Sequence, residues 1–178
     1  MKIIKLLEFL ENNLDLQEFL HKNPDYSPQE IKEIFKKLKD IYIKYHQTPY
    51  ELYIDGASRG NPGKASVGFV IFKNGQEVVR DGKYIGIKTN NEAEYFALLL
   101  GLKKCLDLGI NNIKIYSDSK LLVNQINGTY KIKDEKLKRL YKEIEKILKN
   151  INYKIEHIPR EKNKIADNMA NQILDDAI

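Results

Sequence analysis

The sequence is poor in the residues that mark several classes of protein. It contains one cysteine, Cys105, which excludes an internal disulfide and a cysteine-based zinc site. Every apolar run falls short of the roughly 18 residues that a membrane-spanning helix needs. The first ten residues alternate Lys and Glu with Ile and Leu, whereas a signal peptide carries an unbroken apolar run and a small-residue cleavage site. We therefore expect a cytoplasmic protein without a membrane partner.

The composition is that of a folded protein with a mild basic excess. Of 178 residues, 42% are hydrophobic and 31% charged, which supplies a core for one domain with a small appendage and excludes a fully disordered chain. The net charge is +5. Residues 1–50 hold eight lysines and eight acidic residues, so the basic excess lies in residues 51–178. This distribution is a mild indication of a polyanionic partner.

The first 48 residues predict a small helical extension. Apolar spacing indicates one helix over residues 1–10 and a short second helix that contains Leu14, Phe19 and Leu20. A third helix is predicted to start at Ser27-Pro28-Gln29-Glu30, which is typical of a capping box. Its apolar stripe comprises Ile31, Ile34, Phe35, Leu38, Ile41 and Tyr45. The segment Gln47-Thr48-Pro49 predicts a boundary, which leaves residues 51–178 as a second domain.

The second domain alternates strands and helices. Strands are predicted over residues 52–54, 65–72, 77–87, 113–116 and 153–158, and a Gly-rich turn over residues 55–63. Helices are predicted over residues 91–108, 120–126, 134–150 and 164–174. Three strands in an antiparallel meander followed by α/β alternation indicate an α/β fold with a mixed sheet flanked by helices.

Four acidic residues stand at the ends of predicted elements. Asp55 closes the first strand and Asp118 follows the fourth. Glu94 and Asp167 lie in the first turns of two helices. Carboxylates at such positions can converge at one edge of a sheet, where they repel each other unless cations hold them together. Oxygen-rich sites of this kind suit Mg²⁺ or Mn²⁺ and are used for two-metal phosphoryl transfer.

Each of these acids also has a purely structural interpretation. Asp55 would form a turn with the glycine that follows it. Glu94 would complete a capping box with Asn91, and Asp118 would cap the next helix. Asp167 would stabilise its helix through the helix dipole.

Residues 51–174 resemble the type 1 ribonuclease H family. Four segments carry this resemblance, in the order that the family has them. They are Tyr-Ile-Asp-Gly-Ala-Ser-Arg-Gly-Asn-Pro-Gly at 53–63, Thr-Asn-Asn-Glu-Ala-Glu-Tyr at 89–95, Tyr-Ser-Asp-Ser at 116–119 and Asn-Lys-Ile-Ala-Asp-Asn-Met-Ala at 163–170. The resemblance implies a ribonuclease H-like five-stranded mixed sheet and an endoribonuclease that hydrolyses the RNA strand of RNA–DNA hybrids, leaving 5′-phosphate and 3′-hydroxyl ends.

The resemblance also implies roles for individual residues. Asp55, Glu94, Asp118 and Asp167 would be the catalytic acids and would bind two Mg²⁺ or Mn²⁺ ions, with Asp55 between them. The expected substrate contacts are made by six residues: Gly56, Ser58, Asn61, Thr89, Asn90 and Asn91. Thr89 would bind a phosphate of the DNA strand, and the other five would read the hybrid and its 2′-hydroxyl groups. Asn61 would also form a turn and Asn91 would also cap a helix. These structural roles can coexist with binding.

The chain departs from the family in three places. The loop after the last strand, 159–163, lacks the histidine that many members have there. Either Arg160, Glu161 or Lys162 takes the role of that histidine, or no residue does. His157 is interpreted as a strand residue. The Trp-bearing basic protrusion is absent, although four lysines remain over residues 131–138, either as phosphate contacts or as a solvated helix face. Residues 1–48 match nothing in the family and would pack within the protein or bind a protein partner.

Three other functions stay open at this level. A nuclease of the same fold could also cut double-stranded RNA, or the chain could be a non-catalytic module that binds hybrids. A nuclease domain released from a reverse transcriptase is the third. The presence of all four acids disfavours a pure binding module, because such a module gains nothing from negative charge where phosphates arrive. We expect a monomer.

Overall fold

The structure is a computed structural model that describes residues 8–10 and 15–177, with the backbone alone for 42–47. Residues 8–10 are helical. The rest of the predicted first helix and Leu14 lie outside the described residues, as does the side chain of Tyr45. None of the helices that are described combines the length and apolar character of a membrane span. The cytoplasmic location stays a prediction.

The chain divides into two compact units, Met1–Gln47 and Thr48–Ile178. The first contains helix α1 (Leu16–Lys22) and helix α2 (Pro28–Gln47). The predicted capping box of α2 is confirmed, because Ser27 N donates to Glu30 Oε2 at 2.8 Å and Glu30 N donates to Ser27 Oγ at 3.2 Å. Each unit is described by itself below.

The first unit has a small core of its own. Phe19, Tyr26, Ile31 and Ile34 are buried together, with the Phe19 and Tyr26 rings 5.0 Å apart in an edge-on contact. The predicted stripe of α2 is only partly buried, since Phe35 is 42% and Ile41 63% exposed. The physical reason is length: α1 has seven residues and α2 has 20, so the shorter helix covers only part of the longer one.

The second unit is built on a five-stranded sheet, which confirms the predicted fold class. The strand order is β3-β2-β1-β4-β5, with β1, β2 and β3 antiparallel and β4 and β5 parallel to β1. The strands are β1 (Tyr50–Gly60), β2 (Gly63–Lys73), β3 (Gln76–Lys88), β4 (Asn112–Ser117) and β5 (Asn152–His157). The helices are α3 (Asn90–Asp107), α4 (Lys120–Ile126), α5 (Glu135–Leu148) and α6 (Lys164–Asp176), and a 3₁₀ turn covers Arg160–Lys162.

The predicted Gly-rich turn over residues 55–63 is wrong. β1 continues to Gly60 and pairs with β2 throughout, from Asp55 opposite Gly68 to Gly60 opposite Gly63. The turn itself is therefore confined to Asn61 and Pro62. Backbone hydrogen bonds to β2 hold this glycine-containing segment extended although glycine is a poor strand former.

The two faces of the sheet are covered differently. On one face, Leu52 and Ile54 of β1 belong to a large apolar core shared with α3, α4 and α5. On the other face α6 lies close to β2, where a Cβ on Gly68 would be 2.6 Å from Ala170 N and 2.7 Å from Ala166 O. Small residues on both sides therefore allow this approach. Because adjacent residues of a strand face opposite ways, Asp55 lies on the α6 face.

Candidate active site

Asp55 lies in the central strand, where it is 5% exposed. The next residue, Gly56, lies against the first turns of α3: an added Cβ would be 2.3 Å from Ala93 C and 2.4 Å from Glu94 N. A side chain at position 56 would thus push α3 away from β1. The glycine was predicted to contact the substrate. It lines the same cavity as Asp55 and is itself buried against α3, which places Glu94 next to Asp55.

Glu94 is held by the start of α3. Thr89 is the N-cap, since its hydroxyl accepts from Glu92 N, and the Glu92 carboxylate accepts in return from Thr89 N at 2.9 Å. The prediction that Asn91 and Glu94 form this capping box is therefore wrong by two residues, because α3 begins at Asn90 and Thr89 caps it. Glu94 is left free of a capping role and is 6% exposed.

Asp118 follows β4, the strand parallel to β1. The register of the two strands, with Tyr53 opposite Tyr116, brings Asp118 next to Asp55 in the middle of β1. The prediction that Asp118 caps α4 is wrong, because Ser119 does so by accepting from Leu122 N. Asp118 Oδ1 instead accepts from Asn163 Nδ2 at 3.0 Å. Its backbone oxygen lies 3.2 Å from Nε2 of His157, the last residue of β5, which confirms His157 as a strand residue.

Three of the four predicted acids form a compact cluster. One carboxylate oxygen from each of Asp55, Glu94 and Asp118 lies within 4.8 Å of the other two. Asp167, in the first turn of α6, lines the same cavity of about 370 Å³. Its Oδ1 accepts from Arg160 Nη2 at 2.6 Å and from Asn171 Nδ2 at 3.2 Å. The structure therefore brings all four acids to one cavity.

The proximity of these acids raises the pKa values of two of them. Burial, followed by the negative charges of Asp118 and Asp167, raises the pKa of Asp55 to about 8. Burial, and then the charges of Asp55 and Asp118, also raises the pKa of Glu94 well above its ordinary value. The hydrogen bond that Arg160 donates to Asp167 raises the pKa of Arg160, so this guanidinium stays charged.

The donor set fits a hard divalent cation. Glu94 Oε2 is buried and has no hydrogen-bond partner within the described part of the chain. An orphaned carboxylate oxygen beside two other carboxylates is costly unless a cation satisfies it. Oxygen donors without nitrogen or sulfur are the ligands that Mg²⁺ and Mn²⁺ prefer.

Two residues at this site were not assigned firm roles from the sequence. Asn163 is 1% exposed, and its Nδ2 joins β1 to the residue that follows β4 by donating to Ile54 O at 2.9 Å as well as to Asp118 Oδ1. It precedes α6 in the position of a cap, yet its side chain caps nothing. Arg160, one of three candidates to replace the loop histidine, is the residue of that loop that lines the acidic cavity.

Three of the six predicted substrate contacts line the cavity, and the other three do not. Gly56, Ser58 and Asn90 line the cavity itself. Asn61 Oδ1 accepts from Asn90 N at 3.1 Å and so joins the β1–β2 turn to α3. Asn91 is exposed on the first turn of α3. The Thr89 hydroxyl is engaged in the capping box, so a phosphate would have to share it.

Comparisons with known proteins match the second unit. A family model described as Reverse transcriptase-like matches residues 53–173. Ribonuclease HI of Halobacterium salinarum is 42% identical over 127 residues, which are 70% of this chain. The chain spans 64% of the length of that relative.

Solved structures give the same result. The crystal structure of RNase H1 from Halobacterium salinarum has a TM-score of 0.71 at 40% identity and covers 72% of this chain and 99% of that one. The structure of LC11-RNase H1 in complex with an RNA/DNA hybrid has a TM-score of 0.69 at 38% identity and covers 72% of this chain and 98% of that one. The resemblance inferred from the four motifs is confirmed.

Proposed function

The chain belongs to the reverse transcriptase-like family, with type 1 ribonucleases H among its relatives, and on this premise we propose that it hydrolyses the RNA strand of RNA–DNA hybrids. One observation carries the proposal. Asp55, Glu94 and Asp118 hold carboxylate oxygens within 4.8 Å of one another, beside an orphaned oxygen that a cation would satisfy.

The four acids, Asp55, Glu94, Asp118 and Asp167, would hold two Mg²⁺ or Mn²⁺ ions. When bound, such ions lower the pKa of a coordinated water and neutralise charge on the scissile phosphate. The chain itself positions the carboxylates. Asp55 on β1 and Glu94 on α3 are buried, and the half-buried Asp118 after β4 accepts a hydrogen bond from Asn163. Asp167, which lines the same cavity, is oriented by hydrogen bonds from Arg160 and Asn171.

The reaction is a hydrolysis in which the oxygen of water bonds to phosphorus and the bond from phosphorus to the 3′ oxygen breaks. The water loses a proton and the leaving oxygen gains one, so the products are a 5′-phosphate and a 3′-hydroxyl. Asp55 and Glu94 have raised pKa values in the metal-free protein. Both must be ionised to serve as ligands, so metal binding releases protons.

Recognition of RNA would come from the rim of the cavity. Ser58, Asn61, Asn90 and Asn91 offer hydroxyl and amide groups to 2′-hydroxyls and base edges in a shallow minor groove. The bond from Asn90 N to Asn61 Oδ1 supports this proposal, because it holds two of these residues at a fixed separation.

A cleavage assay on labelled duplexes tests the proposal. The full chain is incubated with matched RNA–DNA hybrid, double-stranded RNA and double-stranded DNA, in Mg²⁺, in Mn²⁺ and in EDTA. We expect cleavage of the RNA strand of the hybrid, dependent on metal, with 5′-phosphate ends. Cleavage of double-stranded RNA at a comparable rate would favour a nuclease of broader specificity, and metal-dependent binding without cleavage would favour a binding module.

A further inference from the structure

A second cavity lies on the same face of the sheet as Asp55. It has a volume of about 260 Å³ and is lined by Glu51, Tyr53, Phe72, Gly75, Lys162 and Ile165, all from the second unit. We refer to it as the aromatic cavity. This volume is near the lower limit for small-molecule pockets, and it is large enough for one planar ring system.

The walls of the aromatic cavity are suited to a flat ring. Tyr53 contacts Phe72 edge-on, with ring centroids 5.7 Å apart, and lies 4.8 Å from the Tyr116 ring in a tilted stack. Ile165 is 40% exposed on the opposite wall. Aromatic faces that remain partly open to solvent are the platforms on which single-stranded nucleic acids stack their bases.

Two charged residues in the lining can bind other parts of a nucleotide. Lys162 is exposed and, among the residues that are described, has no carboxylate partner, so it is free to bind a phosphate. Glu51 lies on the wall and hydrogen-bonds to the Tyr116 hydroxyl. A carboxylate in such a position can accept from the exocyclic amino group of adenine, cytosine or guanine, which thymine and uracil lack.

The aromatic cavity is adjacent to the acidic one. Tyr53 and Asp55 point to the same face of β1, about 7 Å apart along the strand. The turn Arg160–Lys162 separates the two cavities, with Arg160 lining the acidic cavity and Lys162 the aromatic cavity. A strand that leaves the acidic cavity on this side would meet Lys162 and then the rings.

We infer that the aromatic cavity binds one nucleotide of a single-stranded extension of the hybrid, with its base against Tyr53 and Phe72 and its phosphate at Lys162. This inference rests on the proposed function, because it takes the hybrid to occupy the acidic cavity. The protein would thereby bind hybrids that end in an unpaired strand more tightly than blunt hybrids.

Binding of fluorescent nucleic acids to the full chain in EDTA tests the inference without cleavage. The probes are a blunt hybrid, the same hybrid with four unpaired nucleotides at a 3′ or 5′ end, and a single-stranded octamer. We expect one overhang to improve affinity about tenfold, within the range given by stacking of one base. Overhangs of adenine or cytosine should bind more tightly than overhangs of thymine.

Two variants and a control assign the effect to the cavity. Phe72→Leu and Lys162→Gln should each remove most of the gain from the overhang while leaving affinity for the blunt hybrid unchanged. Lys162→Gln should also reduce the salt dependence of overhang binding by about one ion, a readout that a structural role would not move. Lys164→Gln is the matched control, because this exposed lysine lines neither cavity.

The outcomes are distinguishable. Equal affinity for blunt and extended hybrids, or a gain that survives both variants, overturns the inference and leaves the proposed function intact. If the blunt hybrid is neither bound nor cut, the proposed function fails. The octamer then tests the cavity directly: binding that Phe72→Leu abolishes supports it, and no binding overturns it.

Discussion

Replacing Asp55 by Asn should stabilise the metal-free protein at neutral and alkaline pH, although it removes a metal ligand. Asp55 is 5% exposed and crowded by Asp118 and Glu94, so its ionised form is unfavourable in the folded state. Asn has nearly the same size and can donate a hydrogen bond to Asp118 without adding negative charge.

The sign of the effect follows from proton binding. Below pH 3.8 the carboxyl group is protonated in the folded and unfolded states alike, so it contributes nothing to the pH dependence. Between about pH 4 and pH 8 the unfolded carboxyl is ionised while the folded one keeps its proton. Unfolding then releases a proton, and the free energy of unfolding falls as pH rises, until the folded pKa of about 8 is passed.

The magnitude follows from the size of the pKa shift. One pKa unit corresponds to about 1.4 kcal/mol, so a shift from 3.8 to about 8 sets a ceiling of roughly 6 kcal/mol. Part of the repulsion is shared with neighbouring acids, and we expect about 2–4 kcal/mol between pH 4 and pH 8.5. At roughly 2–4 °C per kcal/mol, Asp55→Asn should melt about 5–15 °C above wild type at pH 8.5 and close to it at pH 4.

Melting curves in EDTA at pH 4, 6 and 8.5 check this expectation, with Asp107→Asn as a control on an exposed carboxyl group. Added Mg²⁺ should then raise the melting temperature of wild type more than that of Asp55→Asn, because only the intact site binds the ion well. Parallel pH profiles for wild type and Asp55→Asn would refute the reasoning, since they would mean that Asp55 ionises in the folded state at its ordinary pKa.

Three other outcomes are expected. Asp118→Asn should lower hybrid cleavage at least a thousandfold with an unchanged circular dichroism spectrum, and a folded variant that cuts at a near wild-type rate would contradict the four-acid site. A duplex whose cleavable strand is DNA except for one ribonucleotide should be cut far more slowly than a duplex whose cleavable strand is all RNA, because the protein is expected to contact several consecutive 2′-hydroxyls. Equal rates in a side-by-side assay would contradict this expectation. Deleting residues 1–47 should preserve cleavage, the salt slope of hybrid binding and the melting temperature of the second unit, because the first unit has a core of its own and residues 1–50 have no net charge. A shallower salt slope with weaker binding would mean that this segment contacts the hybrid.

Periodicity in the sequence predicted the elements of the second unit well. Helix α4 was predicted at its observed bounds, and the meander followed by α/β alternation gave the correct class of sheet. These features depend on local preferences and on which residues are apolar, and both can be read from the chain. The burial of the apolar stripe of α2 was overestimated, because the number of apolar residues on a helix does not say how much of the helix another element covers.

The site was harder to predict where it depends on contacts between distant segments. Nothing local distinguishes Asn163 from a helix cap, since its bonds go to Ile54 and Asp118 in other elements. Gly56 has the sequence context of a turn, and only the closeness of α3 explains why a glycine stands in a strand. The assignment of Glu94 to a capping box failed because Thr89 and Asn91 are both acceptable caps, and the structure uses the earlier one.

The four carboxylates belong to four elements that are far apart in the chain, and this has a consequence for biosynthesis. Translation produces β1, α3 and β4 before α6, so the ribosome carries for a time a chain that holds Asp55, Glu94 and Asp118 but lacks Asn163 and Asp167. In that nascent chain nothing covers Gly68, and nothing fixes Asp118 against Ile54. The complete four-acid site of the proposed nuclease therefore forms only when α6 has been synthesised and has docked on the sheet, so that docking of this helix would be the last step in assembling the site.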